Sequence, residues 1–181
     1  MKKLLLLIAF VSCTALYTFA QTQKGDLVIG SNFNAGLGYG YRSVLFNGGI
    51  NPDINYFLNK RLSIGFGAEV SGSITLHDDS FGDYSSFRIY VGPSVRYYLT
   101  KTKLQPFIGL SSGFSMFGYN NDMKYYEGIG YFVKPEIGLL YPVTKRVSLM
   151  AKIDYDFMNT ADFNAKNRMQ MKVGIAVKLG K

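Results

Sequence analysis

The sequence is poor in the residues that support disulfide cross-links and thiol chemistry. Its 181 residues contain one cysteine, Cys13, one histidine and no tryptophan. Beyond position 13 the chain therefore has no cysteine-based metal site, no thiol nucleophile and no disulfide framework. We expect no cofactor and no bound metal, and a fold that is held together by something other than cross-links.

The first twenty residues differ in composition from the rest of the chain. The segment "MKKLLLLIAFVSCTALYTFAQ" begins with two lysines, continues with an apolar run and reaches small residues near Ala20. This pattern predicts a cleavable signal peptide over residues 1–20 and one mature domain over residues 21–181. The apolar run is too short to be a convincing membrane-spanning helix. The alternative is lipid attachment at Cys13, because "FVSC" loosely resembles a lipobox.

Acidic residues are the scarcer charge. The chain has 20 Lys and Arg against 12 Asp and Glu, which gives a formal net charge of +8. A basic balance invites a nucleic-acid interpretation, but six of the basic residues are divided among three short segments and form no stripe along one binding face: Lys60, Arg61, Lys101, Lys103, Lys145 and Arg146. An exported chain also has little access to cytoplasmic nucleic acid. We therefore expect no nucleic-acid partner.

Convincing helical periodicity is absent after the signal segment, and period-two alternation of apolar and polar residues takes its place. Such alternation predicts β-strands, and we expect eight of them, at about 26–41, 47–58, 62–76, 86–99, 104–117, 128–141, 146–157 and 168–180. Short connections at 59–61, 100–103 and 142–145 alternate with mostly longer ones at 42–46, 77–85, 118–127 and 158–167. This layout predicts an eight-stranded antiparallel up-and-down β-barrel with both mature termini on the short-turn side.

The residue content of the two strand faces indicates which face meets lipid. The polar face is dominated by Gly, Ser and Asn, which suit the narrow interior of an eight-stranded barrel better than a surface in water. Aromatic residues on the apolar face fall near both strand ends and predict two interfacial girdles: Tyr56, Tyr97 and Tyr141 at the short-turn end, and Tyr39, Phe87, Tyr131 and Phe157 toward the loops. The fold class is thus a transmembrane barrel. The alternative is a soluble periplasmic lipocalin-like barrel that binds an apolar ligand.

Charged residues on the polar face need partners, since a buried unpaired charge is costly. We expect an ion-pair network in the lumen formed by Asp53, Glu69, Arg88, Arg96, Lys134, Glu136, Lys152, Asp154 and Lys172. Register extrapolated from the third short turn places Lys134 opposite Asp154 and Glu136 opposite Lys152, with Lys172 beside Asp154. Asp156 and Lys178 are expected near the rims, in water. The network is either a polar plug, which the small bore favours, or the lining of an ion pathway.

The longer loops hold the remaining candidate residues for catalysis or for contact with a partner. His77 precedes Asp78, Asp79 and Ser80, which together supply the ingredients of a hydrolase triad. Adjacent residues in one loop rarely converge on a reacting atom, so we expect no enzyme here. A second loop carries Tyr119, Tyr125 and Tyr126, whose rings are possible contacts for a partner that the sequence does not identify.

Three prolines interrupt the alternation of the strands that run down into short turns. The segments "PDINYFLNK", "PSVRYYLTK" and "PEIGLLYPVTK" begin at Pro52, Pro93 and Pro135 and form an internal repeat. Proline cannot donate a ladder hydrogen bond, and a closed barrel has no edge strand to accommodate it. We expect a bulge or a locally broken ladder at each of the three.

The stretch "IYVGPSVRYYLTKTKLQPFIGLSSGF" and the signal ending "TFAQ" resemble the small outer-membrane β-barrel domain family of Gram-negative bacteria, which is related in architecture to the OmpX and OmpA barrels. The resemblance implies an integral outer-membrane protein that contacts lipid and lipopolysaccharide and is inserted by the barrel-assembly machinery. It implies no catalytic residues. The ending "VKLGK" departs from the terminal aromatic residue usual in such barrels. We expect a structural or surface-interaction role through extracellular loops, with a narrow pore or a rim hydrolase as further alternatives.

Overall fold

Eight antiparallel strands make up the structure. The computed structural model of the chain describes residues 22–40, 43–77, 84–100, 102–121, 124–160 and 168–179. Its strands are β1 (Leu27–Gly40), β2 (Ser43–Phe57), β3 (Leu62–His77), β4 (Tyr84–Tyr98), β5 (Gln105–Asn121), β6 (Lys124–Pro142), β7 (Val147–Thr160) and β8 (Arg168–Leu179). The predicted signal segment, including Cys13, lies outside the described residues. No helix in the described part of the chain is long and apolar enough to cross a membrane.

The strands close into a barrel in sequence order, because β8 pairs with β1 between Leu27–Leu179 and Phe33–Val173. The predicted eight-stranded up-and-down topology is therefore confirmed. The main difference lies at the end opposite the short turns, here called the loop end. There the strands extend further than predicted, since β2 begins at Ser43 and the β5–β6 ladder continues to Asn121–Lys124.

Alternation along each strand separates an apolar outer face from a polar inner face. In β1, Phe33 is 51% exposed, whereas its neighbour Asn32 is fully buried. The same reversal of the usual globular pattern holds around the barrel, where large Ile, Leu, Val and Phe side chains are exposed and charged side chains are buried. Successive side chains of a strand point to opposite faces, so period-two sequence produces this sorting directly.

Two of the short turns are built alike. The Leu58 N–H donates to Leu62 O, and the Val143 N–H donates to Val147 O, at 2.9 Å in each case. Inside each turn one polar side chain accepts two backbone N–H groups: Asn59 Oδ1 in the first and Thr144 Oγ1 in the second. These side-chain acceptors satisfy backbone donors that the ladder no longer reaches.

The three short turns lie at the same end of the barrel, here called the short-turn end. Their described basic residues therefore share that end: Lys60, Arg61, Lys103, Lys145 and Arg146. The prediction that the three short turns share one side of the barrel is therefore confirmed. Arg61 Nη1 lies 3.3 Å from the Tyr97 hydroxyl, and Lys103 Nζ lies 4.7 Å from the centre of the Tyr141 ring. The short-turn end therefore presents a basic rim beside tyrosines of the outer face.

Each of the three repeated prolines breaks the ladder on one side only. Pro52 pairs with Ser31 of β1, but the β2–β3 ladder is interrupted between Ile50–Val70 and Asp53–Gly67. Pro93 and Pro135 behave in the same way toward β5 and β7. The pairing resumes in the same register, so the expected broken ladder is present and the alternative expectation, a bulge, is wrong. A missing N–H removes hydrogen bonds without inserting a residue, and this is the physical reason.

At two of these interruptions the structure has a local adaptation. Ala68 lies opposite Pro52, which has no backbone N–H to donate to the Ala68 carbonyl. Asn51 Nδ2 donates to Ala68 O instead, at 2.7 Å. Beside Pro93, a Cβ on Gly92 would collide with Ser112 O, and one on Gly113 would collide with Val91 O. Only glycine permits the two backbones to approach this closely at the second site.

We predict that Asn51 and Pro52 are energetically coupled. Asn51→Ala is expected to reduce the free energy of unfolding by about 1–3 kcal/mol, because Ala68 O becomes an unsatisfied, partly buried acceptor. In a Pro52→Ala background the restored N–H can reach Ala68 O, so the same change is expected to cost much less. Guanidinium unfolding followed by circular dichroism in neutral micelles measures both effects. Equal losses in the two backgrounds would show that the side-chain bond does not replace the missing backbone donor.

Candidate functional site: the lumen of the barrel

The lumen is filled in layers, beginning with an apolar cluster at the short-turn end. Side chains from seven strands pack together there, inside the barrel: Val28, Phe57, Tyr98, Phe107, Leu140, Met150 and Ala176. The Tyr98 ring lies 5.1 Å from Phe57 and 5.5 Å from Phe107, between ring centres. This apolar plug was absent from the sequence interpretation, although all of its members fall on the inward positions of the alternation.

The first of two ion-pair clusters is centred on Arg96 of β4. Its guanidinium contacts Asp53 of β2, at 2.7 Å, and Glu136 of β6. Lys152 Nζ of β7 lies 2.9 Å from the second carboxylate oxygen of Glu136. Gly109 of β5 leaves room for this contact, because a Cβ there would lie 2.8 Å from Glu136 Oε1. Charges on four strands thus meet across the width of the lumen.

The second cluster shares Glu69 of β3 between two lysines. Lys134 Nζ and Lys172 Nζ lie 2.6 Å and 2.7 Å from Glu69 Oε2. Lys172 also contacts Asp154 at 2.8 Å, and Lys134 contacts Asp156 at 3.0 Å. All five side chains are almost completely buried. Buried charges are tolerated only when they are paired in this way.

Aromatic rings cover the second cluster on the side of the loop end. Lys134 Nζ lies 4.0 Å from the centre of the Tyr90 ring and 5.4 Å from that of Phe132. The Tyr90 hydroxyl donates to Asp156 Oδ2 at 3.2 Å, and the two rings meet edge to face. Cation–ring contacts of this kind are favourable once water is excluded. The rings and the ion pairs together fill the middle of the barrel.

Little open space remains among the ion pairs. The cavity between Asp53, Glu69, Arg96 and Lys134 has a volume of about 30 Å³. That volume is on the scale of single water molecules and far below a small-molecule pocket. The arrangement can hold charges in fixed positions, but it offers no chamber for a ligand at this depth.

The structure places eight of the nine predicted lumen residues in the ion-pair clusters: Asp53, Glu69, Arg96, Lys134, Glu136, Lys152, Asp154 and Lys172. Arg88 is the ninth. It also points inward but is half-buried, above the clusters, and forms no ion pair with the described residues. The sequence interpretation missed Arg168, whose guanidinium lies 3.9 Å from both Glu69 and Asp156.

Two details of the predicted register are wrong. Glu136 lies opposite Asp154, so the β6–β7 ladder is displaced by two residues from the extrapolated one. The reason is the position of the turn, which closes between Val143 and Val147, one residue further along the chain than the extrapolation assumed. Lys134 consequently reaches Asp156, which is buried and not at a wet rim as expected. Lys152 still contacts Glu136, but diagonally.

The predicted girdle residues that the structure describes with side chains all lie exposed on the outer face: Tyr56, Tyr97, Tyr141, Phe87, Tyr131 and Phe157. The side chains of Tyr39, His77, Tyr125 and Tyr126 lie outside the described part of the structure, as do residues Asp78, Asp79 and Ser80. Tyr119 belongs to β5 and pairs with Tyr126 of β6. The expectation of a loop at this position is therefore wrong, because cross-strand pairing extends almost to the tip of the hairpin.

No protein-family model matches this sequence, and no curated protein matches it either. Solved structures do resemble its fold. Neisserial surface protein A covers 85% of this chain and 96% of its own, with a TM-score of 0.58 and 16% identity. The match to Ail of Yersinia pestis, in complex with the heparin analogue sucrose octasulfate, covers 87% of this chain and 100% of Ail, with a TM-score of 0.60 and 10% identity. The match to the N-terminal β-barrel domain of Pseudomonas aeruginosa OprF covers 87% of this chain and 98% of that domain, with a TM-score of 0.52 and 16% identity. The chain thus has the fold of the small outer-membrane β-barrels.

We predict that the ion-pair clusters are essential to stability. Arg96→Met removes the cation shared by Asp53 and Glu136 and is expected to cost about 3–5 kcal/mol of unfolding free energy. The buried Asp53 carboxylate loses the cation that it contacts, and Glu136 keeps Lys152 but loses Arg96. Arg61→Met is the matched control, since Arg61 is exposed at the rim, and is expected to cost under about 1 kcal/mol. Guanidinium unfolding of both variants in the same micelles provides the comparison. A loss no larger than that of the control would contradict the assigned role of Arg96.

Proposed function

We propose that this chain is an integral outer-membrane protein with a structural or surface-interaction role, in which a sealed barrel supports a working surface at the loop end. One observation carries the proposal: apolar side chains cover the outside of the barrel, and charged side chains are buried inside it. Lipid favours this distribution, whereas water favours the opposite one. Exposed tyrosines and phenylalanines near both ends of the apolar band fit the two membrane interfaces.

A lipocalin-like binder of an apolar ligand is disfavoured by the content of the lumen. Such a protein needs an apolar chamber inside the barrel. Here the middle and the short-turn end of the interior hold ion pairs and a packed apolar plug, and the cavity among the ion pairs has a volume of about 30 Å³. The same filling supports a lumen that is closed to ions, in preference to a narrow pore. No observation among the described residues favours a hydrolase at the rim, and the proposal includes no catalytic step.

The proposed orientation places the short-turn end and both mature termini in the periplasm. The lipid partners would then differ at the two ends of the barrel. The basic rim would face anionic phospholipid headgroups of the inner leaflet, held at that depth by the contacts of Arg61 with Tyr97 and of Lys103 with Tyr141. The loop end would face lipopolysaccharide and the cell exterior. Insertion by the barrel-assembly machinery belongs to the same proposal.

We predict that thiol labelling of intact cells will distinguish the two ends. The predicted mature chain has no cysteine, so single substitutions give an unambiguous signal. A membrane-impermeant maleimide is expected to label Asn120→Cys, at the loop end, on whole cells. It is expected to label Lys60→Cys and Lys145→Cys, in the short turns, only after the outer membrane is permeabilised. The unmutated protein is the control for background labelling. The reverse pattern of labelling would rule out the proposed orientation.

We predict that the protein requires detergent for extraction and migrates differently on gels before and after heating, as a stable membrane barrel does. In planar bilayers the folded protein is expected to give no single-channel steps, because the plug and the ion pairs fill the lumen. A known porin, reconstituted in parallel, verifies the detection limit. Conductance steps of constant amplitude would contradict the sealed lumen, and release into buffer without detergent would contradict the membrane barrel itself.

A further inference from the structure

Above the ion-pair clusters the lumen opens into a polar cavity at the loop end. This cavity, here called the vestibule, has a volume of about 330 Å³. The polar residues that line it are Asn47, Ser71, Ser73, Ser86, Arg88 and Arg168. This volume is within the range of small-molecule sites, unlike that of the cavity below it. No carboxylate is among the residues that line it. Among the described residues, the charges on its walls are two guanidinium groups, Arg88 of β4 and Arg168 of β8.

Both guanidinium groups retain unused donors. Arg88 Nη1 and Arg168 Nε are buried nitrogen atoms that have no hydrogen-bond partner within the described part of the chain. Arg168 Nη2 donates to Ser71 Oγ at 3.2 Å, and its nearest carboxylates, on Glu69 and Asp156, are 3.9 Å away. Those carboxylates already accept closer contacts from Lys134, at 2.6 Å and 3.0 Å. The acids below the vestibule therefore leave donors of both arginines unsatisfied.

The charge balance of the lumen singles out Arg88. The ion-paired set is neutral, with five acidic side chains, Asp53, Glu69, Glu136, Asp154 and Asp156, and five basic ones, Arg96, Lys134, Lys152, Arg168 and Lys172. Arg88 adds one positive charge that no described carboxylate within the lumen neutralises. A half-buried cation in a narrow polar cavity attracts a counter-charge strongly, since the surrounding dielectric is below that of water.

The neighbouring hydroxyl groups complete a set of donors. Ser73 Oγ and Ser86 Oγ lie 2.7 Å apart on adjacent strands, and either can turn its hydrogen toward the cavity while the other donates to it. Guanidinium and hydroxyl donors around a polar cavity are the groups that bind oxyanions, with the guanidinium offering two parallel hydrogen bonds.

We propose that the vestibule is a binding site for a small anion that carries a phosphate, sulfate or carboxylate group. Arg88 is the principal contact, Arg168 faces it across the lumen, and the serine hydroxyls donate to the remaining oxygens. The site goes beyond the proposed membrane role, because it lies inside the barrel and takes a dissolved ligand. The vestibule is walled off from lipid by the strands, so a free anion is the expected ligand in preference to a lipid headgroup.

Titration of the purified, folded protein tests the proposal. Inorganic phosphate, sulfate and acetate are the probes, measured by calorimetry in a neutral detergent and a low-salt buffer. We expect saturable binding of at least one of these anions with one site per barrel. Arg88→Gln is expected to weaken that binding at least tenfold, because it removes the charge and the fork of donors. Arg146→Gln, which removes an exposed arginine at the opposite end, is expected to leave binding unchanged.

Milder variants keep the test decisive if Arg88→Gln does not fold. Ser73→Ala and Ser86→Ala remove single hydroxyls and are each expected to weaken binding several-fold. Undiminished binding in Arg88→Gln, or in both serine variants, would overturn the proposal, as would the absence of saturable binding by all three anions. Binding of lipopolysaccharide micelles without binding of any free anion would also overturn it. The measurement in detergent is independent of membrane orientation, so its failure would leave the proposed orientation and membrane role intact.

Discussion

A backbone in contact with lipid must find its hydrogen-bond partners within the protein, and the whole structure follows from this constraint. Closure of β8 on β1 removes the sheet edges, but it also fixes a narrow interior into which every second side chain must fit. The repeated prolines are the exceptions, and each one interrupts the ladder on a single side. At Pro52 the amide of Asn51 supplies the donor that the ring lacks.

The narrow interior explains the chemistry of the lumen. Charges cannot be hydrated there, so they form ion pairs. A glycine on the strand between two of them can make room, as Gly109 does for Arg96 and Glu136. The result is a graded interior, with an apolar plug at the short-turn end, neutral ion-pair clusters in the middle and surplus positive charge at the loop end. Structural filling therefore accounts for the lower two layers, and the top layer is left with donors that packing does not use.

Period-two alternation was sufficient to predict most of the charged residues that enter the lumen, because a strand offers only two faces, but the apolar plug and Arg168 were missed. The eight ion-paired residues foreseen from sequence owe their identification to this rule alone. Their partners were harder to predict. The contact of Arg96 with Asp53 depends on which strands face each other across the closed sheet. The contact of Lys134 with Asp156 depends on the residue at which a turn closes. Neither quantity is encoded in local pattern. The local pattern also does not indicate how deep a residue lies along the barrel axis, which is why Asp156 was expected at a rim.

The ion pairs also bear on how the barrel assembles, because most of them join strands that are not neighbours. Glu69 of β3 receives Lys172 of β8 across 103 positions of sequence, and Arg96 of β4 joins β2 to β6. In a partly assembled sheet that lacks β8, the carboxylates of Glu69 and Asp154 would be without Lys172, the cation that they share. Intermediates with an open seam are thereby penalised in proportion to the charge they leave bare. The network makes closure cooperative, so that the last strand to be synthesised completes the electrostatics of the whole.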